Sequence, residues 1–136
     1  MTVVFARVAT PGDSDPVARL VASARTEAPA HRGVPFERVP GPESLTIVGG
    51  VGTTVFGVLH ATRTDVDVWT IHVVHVERDA RGVGIGDALV GCALAELRRA
   101  GASAVESGAQ PGDRALKNLF ERHGLVARTI IVGRTL

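Results

Sequence analysis

The chain has 136 residues, of which 45% are hydrophobic and 21% are charged, and its mean hydropathy is +0.20. This composition is too apolar for a disordered chain, and the length suits one core rather than two. Its 15 basic and 14 acidic residues give a net charge of +1, without the excess of cations that a nucleic-acid-binding surface needs. We therefore expect a single domain over residues 1–136 that does not bind nucleic acid.

Two residue counts limit the chemistry and the location of the protein. Cys92 is the only cysteine, which excludes an intramolecular disulfide and any metal site with two thiolate ligands. The N-terminus lacks a basic start followed by a long apolar run, and no stretch of about 18 uncharged apolar residues occurs. We expect a cytoplasmic protein with no metal and no membrane partner. The chain also has no tyrosine, so no mechanism can use a tyrosine hydroxyl.

The first elements are a strand and a helix. The β-branched and aromatic run Val3–Val8 predicts a strand that ends at the following proline and glycine. A helix is expected next, because Asp15 can cap its first turn and Pro16 suits the first helical position. The helix is expected to end near Glu27.

A long loop is predicted over residues 29–44, which contain four prolines and two glycines. A loop of this length often faces substrate. Its charged and titratable residues are of both signs and indicate no single class of acceptor: His31, Arg32, Glu37, Arg38 and Glu43.

The middle of the chain predicts a hairpin, a long strand and a helix. Leu45–Val48 and Val55–Ala61 are separated by glycines and read as the two strands of a hairpin. The nearly continuous apolar run Val66–Val76 is typical of a central strand that is covered on both faces. It leads into a glycine-rich turn and a helix whose apolar stripe runs from Ile85 to Leu97 and includes Cys92 as a core residue.

The last third predicts a strand at Ser103–Glu106, a helix capped by Asp113, and a final strand at Val126–Val132. The order is therefore β-α-β-β-β-α-β-α-β. This order is that of an α/β fold, with a mixed central sheet flanked by helices.

The turn Arg81-Gly82-Val83-Gly84-Ile85-Gly86 predicts a phosphate-binding site. Alternate glycines let the backbone approach a ligand closely, and the helix that follows offers unpaired amides and the positive end of its dipole. A Rossmann fingerprint would need a third glycine where this chain has Asp87, and a P-loop would need a lysine followed by serine or threonine. Neither of these nucleotide motifs is present.

The spacing Arg81-x-x-Gly84-x-Gly86, after a long strand that ends Val74-His75-Val76, resembles the acetyl-CoA signature of the GNAT acetyltransferase superfamily. The N-terminal strand and helix and the segment Leu119–Leu125 resemble the corresponding GNAT elements in the same order. The resemblance implies a GNAT-like fold and an N-acetyltransferase that transfers an acetyl group from acetyl-CoA directly to a primary amine. The acceptor is open.

The resemblance also implies roles for individual residues. The backbone amides of the turn would hold the CoA pyrophosphate, namely those of Arg81, Gly82, Val83, Gly84, Ile85 and Gly86. The strand residues Val74, His75 and Val76 would pair with the pantetheine arm like an added strand and polarise the acetyl carbonyl. Asp113 and Phe120 stand at the helix positions that contact the CoA arm in relatives.

The sequence departs from the family at the general acid. Many relatives carry a tyrosine where this chain has Phe120, and an asparagine is often found where it has Asp113. A thiolate with a solution pKa near about 8.5 is already a tolerable leaving group, and acid help is worth about 10²–10⁴-fold. Water, Ser107 or Asp113 are the substitutes that the sequence offers.

His72 is the candidate general base, because many relatives carry a glutamate at its position or at that of Thr70. Strand alternation predicts that His75 points to the opposite face from His72. Further candidates are His60 and Glu106 on neighbouring strands. Glu77 at the strand exit and His123 beside a helix C-terminus are expected to be solvated or structural.

Two readings of function remain open. One is the acetyltransferase; the other is a GNAT-fold module that binds acyl-CoA or regulates without efficient catalysis, which the missing tyrosine favours. We also expect a homodimer, because GNAT relatives often pair and the strand-like segment Ala127–Leu136 can sit at an interface.

Overall fold

The computed structural model describes residues 3–28 and 33–136 and shows a five-stranded sheet flanked by helices. The strands are β1 (Val4–Val8), β2 (Ser44–Val51), β3 (Thr54–Asp65), β4 (Val68–Val76) and β5 (Ala104–Glu106). The helices are α1 (Ser14–Glu27), α2 (Ile85–Arg99) and α3 (Arg114–Arg122), and short 3₁₀ turns at Pro11–Asp13 and Arg78–Ala80 precede α1 and α2. Within the described ranges, no helix is both long and apolar enough to cross a membrane.

The sheet is mixed, as predicted, and its strands lie in chain order from β1 to β5. Strands β1 to β4 pair antiparallel, whereas β5 pairs parallel to β4 over three residues only, from Val68 with Ala104 to Thr70 with Glu106. The predicted hairpin is formed by β2 and β3. The long strand β4 lies inside the sheet between β3 and β5, and β3 is the middle strand.

Helices cover both faces of the sheet. On one face, Ile47 and Leu59 join a core cluster with Ile85 and Leu89 of α2. On the other face, the cross-strand pair Val48 and Val58 is fully buried and α1 packs against β3 and β4, with Leu20 fully buried. This alternation follows from the two-residue period of a strand.

A β-bulge in β4 changes which face His72 occupies. His60 pairs with Val73 and Ala61 pairs with Ile71, so His72 is the extra residue between them. The extra residue resets the alternation, and the side chain of His72 hydrogen-bonds Thr62, two residues from His60 on β3. His75, which pairs with Val58, lies on this same face. The prediction that His72 and His75 point to opposite faces is therefore wrong.

The start of α1 also differs from the prediction. Asp13, not Asp15, is the N-cap residue, and the helix begins at Ser14 after a 3₁₀ turn. The carboxylate of Asp13 accepts from the Thr10 amide at 2.7 Å and binds the Arg7 guanidinium at 2.6 and 3.0 Å. Asp15 is exposed in the first turn. The helix ends at Glu27, as predicted.

The order of strands and helices agrees with the prediction from β1 through α3. Residues 126–132, predicted as a final strand, pair with no strand in the described part of the chain. Ile130, Ile131 and Val132 are 84 to 88% exposed. Their β-branched side chains favour a strand locally, but a strand also needs a neighbour for its backbone groups.

The predicted loop over residues 29–44 has no helix from residue 33 onward and joins β2 at Ser44. Its residues 29–32, which include His31 and Arg32, lie outside the described residues. The remainder is held to the sheet, because the Gly41 amide donates to Thr62 Oγ1 at 3.0 Å and Arg38 pairs with Glu106 at 3.3 Å. This part of the loop therefore crosses the ends of β3 and β5.

Candidate active site

The glycine-rich turn adopts a backbone conformation that favours glycine. Gly82 has φ +86° and Gly84 has φ +97°, both in the left-handed region that L side chains rarely adopt. A Cβ atom at either position would meet no heavy atom within 4 Å. The glycines are therefore needed for backbone conformation, and the surface above them is open.

Helix α2 begins at this turn with its first amides unpaired. Gly84 is the N-cap residue and has no side chain to cap the helix, and the first intrahelical bond runs from the Ala88 amide to the Gly84 carbonyl at 3.1 Å. The amides of Ile85, Gly86 and Asp87 have no acceptor among the described residues. Unpaired amides at a helix N-terminus attract anions.

Arg81 fixes the turn to its surroundings. Its Nε donates to the Val76 carbonyl at 2.9 Å, and its guanidinium binds Glu27 at the end of α1 at 2.7 Å. The hydrogen bond from Arg81 lowers the pKa of Glu27 from its ordinary value. The side chain of Arg81 thus anchors the turn, and it is the backbone of the turn that faces open space.

The second half of β4 has a free edge. Pairing with β5 ends at Thr70, so in the described chain no strand lies beside Val74 and Val76 on that side. The Glu77 amide donates to Phe56 on β3, and backbone groups alternate between edges, so those of Val74 and Val76 point to the free edge. His75 directs its backbone to β3, and its Nε2 lies 3.2 Å from Ser23 Oγ of α1. Only two of the three predicted strand residues therefore offer backbone groups at this edge.

Helix α3 is tied to the start of α2 by Asp87. The carboxylate binds Arg122 through two contacts of 3.1 Å and His123 at 2.9 Å. The hydrogen bond from Arg122 is the main cause of a lowered pKa at Asp87. At the adjacent Gly86, a Cβ would lie 3.3 Å from Leu119, so α2 and α3 approach closely beside the turn. His123 is thus structural, as expected.

Asp113 and Phe120 occupy the positions on α3 that the sequence predicted. Asp113 is the N-cap residue, and its Oδ1 accepts from the Leu116 amide at 3.2 Å. Phe120 is 6% exposed and belongs to the same core cluster as Ile85, with Val74 packed against it. Ser107, a candidate substitute acid, donates to the Ile71 carbonyl at 2.8 Å.

His72 and His60 form a pair of imidazoles on β4 and β3. Their ring centroids are 6.1 Å apart, His72 Nε2 lies 2.7 Å from Thr62 Oγ1, and His60 Nδ1 lies 3.0 Å from Thr46 Oγ1. Burial lowers the pKa of both rings from the usual 6.5, and the charge of His72 lowers that of His60 further. Both rings are therefore neutral near pH 7, which is the form that accepts a proton.

The other titratable candidates have structural partners. Glu106 accepts from Thr70 Oγ1 at 3.3 Å and pairs with Arg38. Glu77 pairs with Arg19 of α1. Cys92 packs against the core as predicted, and burial raises its pKa.

Two surface depressions lie away from the glycine-rich turn. A depression of about 380 Å³ lies at the other end of β4, against Trp69 and Leu97, and one of about 350 Å³ lies beside the start of α1. Neither includes the glycine-rich turn. In the described ranges, no group of three or more His, Cys, Asp or Glu side chains is placed to hold a metal ion.

The sequence did not identify the residues that hold the predicted site residues in place. Thr62 and Thr46 hold the two imidazoles, Glu27 holds Arg81, and Ser23 contacts His75. No local motif marks these residues, since the partners are 10 to 54 positions apart in the chain.

The sequence model of the acetyltransferase (GNAT) family matches residues 17–125. A search of curated proteins found no match. Among solved structures, a transcriptional regulator from Bacillus halodurans C-125 is similar with a TM-score of 0.72 and 21% identity, over 98% of this chain and 100% of that one.

Two named acetyltransferases share the fold. AAC(6')-Iy, solved with the bisubstrate analogue CoA-S-monomethyl-acetylneamine, is similar with a TM-score of 0.73 and 10% identity, over 98% of this chain and 99% of that one. Ribosomal-protein-alanine N-acetyltransferase from Brucella melitensis biovar Abortus 2308 is similar with a TM-score of 0.72 and 16% identity, over the same shares of the two chains. With the family model covering most of its length, this chain belongs to the acetyltransferase (GNAT) family.

Proposed function

We propose that this chain transfers an acetyl group from acetyl-CoA directly to a primary amine. The observation that carries the proposal is that two open features lie side by side: the unpaired backbone of the glycine-rich turn and the free edge of β4. Arg81, which begins the turn, connects them by donating to the Val76 carbonyl. A phosphate ligand suits the first feature, and an extended amide-containing arm suits the second. Acetyl-CoA contains both a pyrophosphate and an amide-containing arm.

We assign the donor as follows. The backbone from Arg81 to Gly86 binds the pyrophosphate, and the open space above Gly82 and Gly84 supports a close approach. Val74 binds the pantetheine arm through its N–H and C=O, and Val76 binds it through its N–H, because the Val76 carbonyl accepts from Arg81. His75 supports the strand from the opposite side. Phe120 contributes an apolar wall for the arm, and Asp113 fixes the start of the helix that carries it.

We assign His72 as the general base. It stands on the bulge directly before the free edge of β4, and its neutral ring can accept a proton from an ammonium group. The freed amine then forms a bond to the acetyl carbon as the thioester C–S bond breaks, and the thiolate leaves with the electron pair. The excess proton on the new amide nitrogen passes through water to the thiolate. His72→Ala is expected to lower kcat by about 10²–10⁴-fold.

The sign of the pH dependence follows from the role of a base. Activity requires neutral His72, so kcat falls as the pH drops through the pKa of His72, which burial places below its usual value. A profile measured on the wild-type enzyme should therefore lose activity only below about pH 6.5. His72→Ala should remove this ionisation.

A second candidate function is a module that binds acyl-CoA without efficient catalysis, and Phe120 favours it. The residue is buried and has no hydroxyl to protonate the leaving thiolate. Phe120→Tyr distinguishes the two functions, because an effective acid would raise kcat by up to about 10²–10⁴-fold. No turnover with any amine, in either variant, with CoA binding intact, would favour the module.

The acceptor is proposed only as an amine. The similar AAC(6')-Iy structure holds an analogue that joins CoA to an acetylated aminoglycoside, and the Brucella protein is named for a protein alanine. These names support an amine acceptor here and do not choose between a small molecule and a protein terminus. Residues 33–43, which cross the ends of β3 and β5, are the described part of the loop that we expect to face the acceptor.

The proposal is tested by binding and turnover together. Acetyl-CoA at about 100 times its Kd should raise the melting temperature by roughly 10 °C, because it binds only the folded state. An amine library, scored by release of free thiol, should then identify acceptors. Saturating millimolar acetyl-CoA with neither a thermal shift nor calorimetric heat would contradict the assignment of the donor.

We further propose that residues 1–136 act as one domain, in the cytoplasm and as a homodimer. The single cysteine supports a reducing compartment. The exposed side chains of Ile130, Ile131 and Val132 support pairing with a second copy, because a contiguous apolar segment gains free energy when it is covered. Light scattering that gives 14.2 kDa across the micromolar range would reject the dimer.

A further inference from the structure

We propose that Thr62 is a positioning residue for the acetyl transfer: its hydroxyl holds the His72 ring with Nδ1 turned to the proton of the acceptor amine. The inference rests on the proposed function, since it takes His72 as the base. It adds a residue from another strand that the sequence motifs do not mark.

The hydroxyl of Thr62 is fixed by its surroundings. The residue is 2% exposed, and its Oγ1 lies 2.7 Å from His72 Nε2 and 3.0 Å from the Gly41 amide, which donates to it. A Cβ on Gly41 would lie 1.6 Å from the Arg63 carbonyl oxygen, so the loop backbone packs tightly against β3 here. The oxygen that faces His72 therefore has little freedom to move.

The proposed contact uses the tautomer of His72 that carries its proton on Nε2. In this tautomer the two lone pairs of Thr62 Oγ1 accept from the Gly41 N–H and from His72 Nε2–H. The ring then carries its proton on Nε2 and its free lone pair on Nδ1, which has no hydrogen-bond partner among the described residues. One proton moves from the ammonium nitrogen to Nδ1, and the Nε2–H bond to Thr62 stabilises the resulting imidazolium.

His60 on β3 is a titratable group beside His72, with ring centroids 6.1 Å apart. Glu106 on β5 and Arg38 of the loop pair with each other. Loss of the Thr62 hydroxyl would leave the imidazolium without its acceptor, so the pKa of His72 would fall.

A second threonine and histidine provide a matched control. Thr46 Oγ1 lies 3.0 Å from His60 Nδ1, on the strand pair next to that of Thr62 and His72. Thr46→Val removes the same hydroxyl from the same kind of contact. It does so beside an imidazole that is not on the bulge before the free edge of β4.

The experiment compares Thr62→Val, Thr62→Ser and Thr46→Val by kcat, KM for acetyl-CoA and the pH profile of kcat. Thr62→Val should lower kcat roughly three- to tenfold with KM little changed, and the acid limb of the profile should move to lower pH. Thr62→Ser should restore both, and Thr46→Val should leave both near wild type. Equal kcat losses in the two valine variants with an unmoved acid limb would overturn the proposal, and so would a folded Thr62→Ser that restores neither.

Nitrogen-15 NMR of the histidine rings separates this proposal from the proposed function. If no amine supports turnover, the proposed function fails, and the ring spectra still decide the pairing. An Nε2–H tautomer of His72 in the wild type, with a lower pKa in Thr62→Val, supports the positioning contact. An Nδ1–H tautomer at His72 overturns it.

Discussion

Two junctions in this molecule connect a strand to a helix through a 3₁₀ turn, and they differ in the residue at the helix N-cap. Between β1 and α1, the turn Pro11–Asp13 satisfies itself: the Thr10 amide binds the Asp13 carboxylate, the Asp13 amide binds the Thr10 carbonyl and the Ser14 amide binds the Pro11 carbonyl. Between β4 and α2, the turn Arg78–Ala80 is followed by glycines, and the first amides of α2 have no acceptor in the described chain.

The difference lies in the residues at the two N-caps. Asp13 is 7% exposed and brings its own negative charge to the junction, where Arg7 neutralises it. Gly84 brings no side chain, and Asp87 in the first turn of α2 is engaged by Arg122 and His123 of α3. The first junction carries its own carboxylate, bound to Thr10 and Arg7, and we call it closed. The second presents the unpaired first amides of α2 and is open to an external anion.

The largest expected effect is the loss of ligand binding in Gly84→Val. The valine would have to adopt φ +97°, and its side chain would occupy the open space above the turn. We expect no thermal shift with acetyl-CoA, measured by melting with and without the ligand.

Gly101→Val is the control for Gly84→Val, because Gly101 has φ +80° and equally open space at the other end of α2. Both variants should lose about 2 kcal/mol of folding stability. Only Gly101→Val should keep the acetyl-CoA shift. If Gly84→Val keeps the full shift, the open junction is not the phosphate site.

An intermediate effect is expected from Arg81→Ala. This change removes the bond to the Val76 carbonyl and the ion pair with Glu27, which together hold the open turn in place. Acetyl-CoA affinity should fall by up to about tenfold, measured by calorimetry. Arg19→Ala, which removes the neighbouring ion pair between α1 and Glu77, should leave the affinity unchanged; an equal loss in both variants would mean that Arg81 acts only through α1.

The smallest effect is expected at the closed junction. Asp13→Asn should lower the free energy of unfolding by about 1 kcal/mol, measured by urea titration, and leave the acetyl-CoA shift intact. Asp15→Asn, at the residue that the sequence alone suggested as the cap, should be neutral. A larger loss from Asp15→Asn than from Asp13→Asn would contradict the closed junction.

The pH dependence of Asp13 has a defined sign. The hydrogen bonds from Arg7 hold its pKa well below the ordinary 3.8 in the folded state. Its stabilising contribution is therefore complete above about pH 4 and is lost as the pH falls toward the folded-state pKa. Asp13→Asn should flatten the acid side of the stability profile below pH 4.

Two predicted strands near the C-terminus, residues 126–132 and β5, had different outcomes in the structure. Residues 126–132 are rich in β-branched residues but pair with no strand in the described chain, whereas Ala104–Glu106 has one β-branched residue, Val105, and pairs with three residues of β4. Composition measures how well a side chain suits a pleated surface, but it does not supply a neighbouring strand. Asp15 likewise has the right residue type for a cap but stands two positions after the N-cap residue Asp13.

The sequence by itself determined the α/β fold, the order of elements from β1 to α3, and the glycine-rich turn with its family. These features are local: periodicity, breakers and spacing set which backbone conformations are allowed. The tertiary structure decided which side chains meet. A single extra residue at His72 rotates that ring onto the face of Thr62 and His75, and pairing between strands, which no local pattern encodes, fixes where that bulge falls.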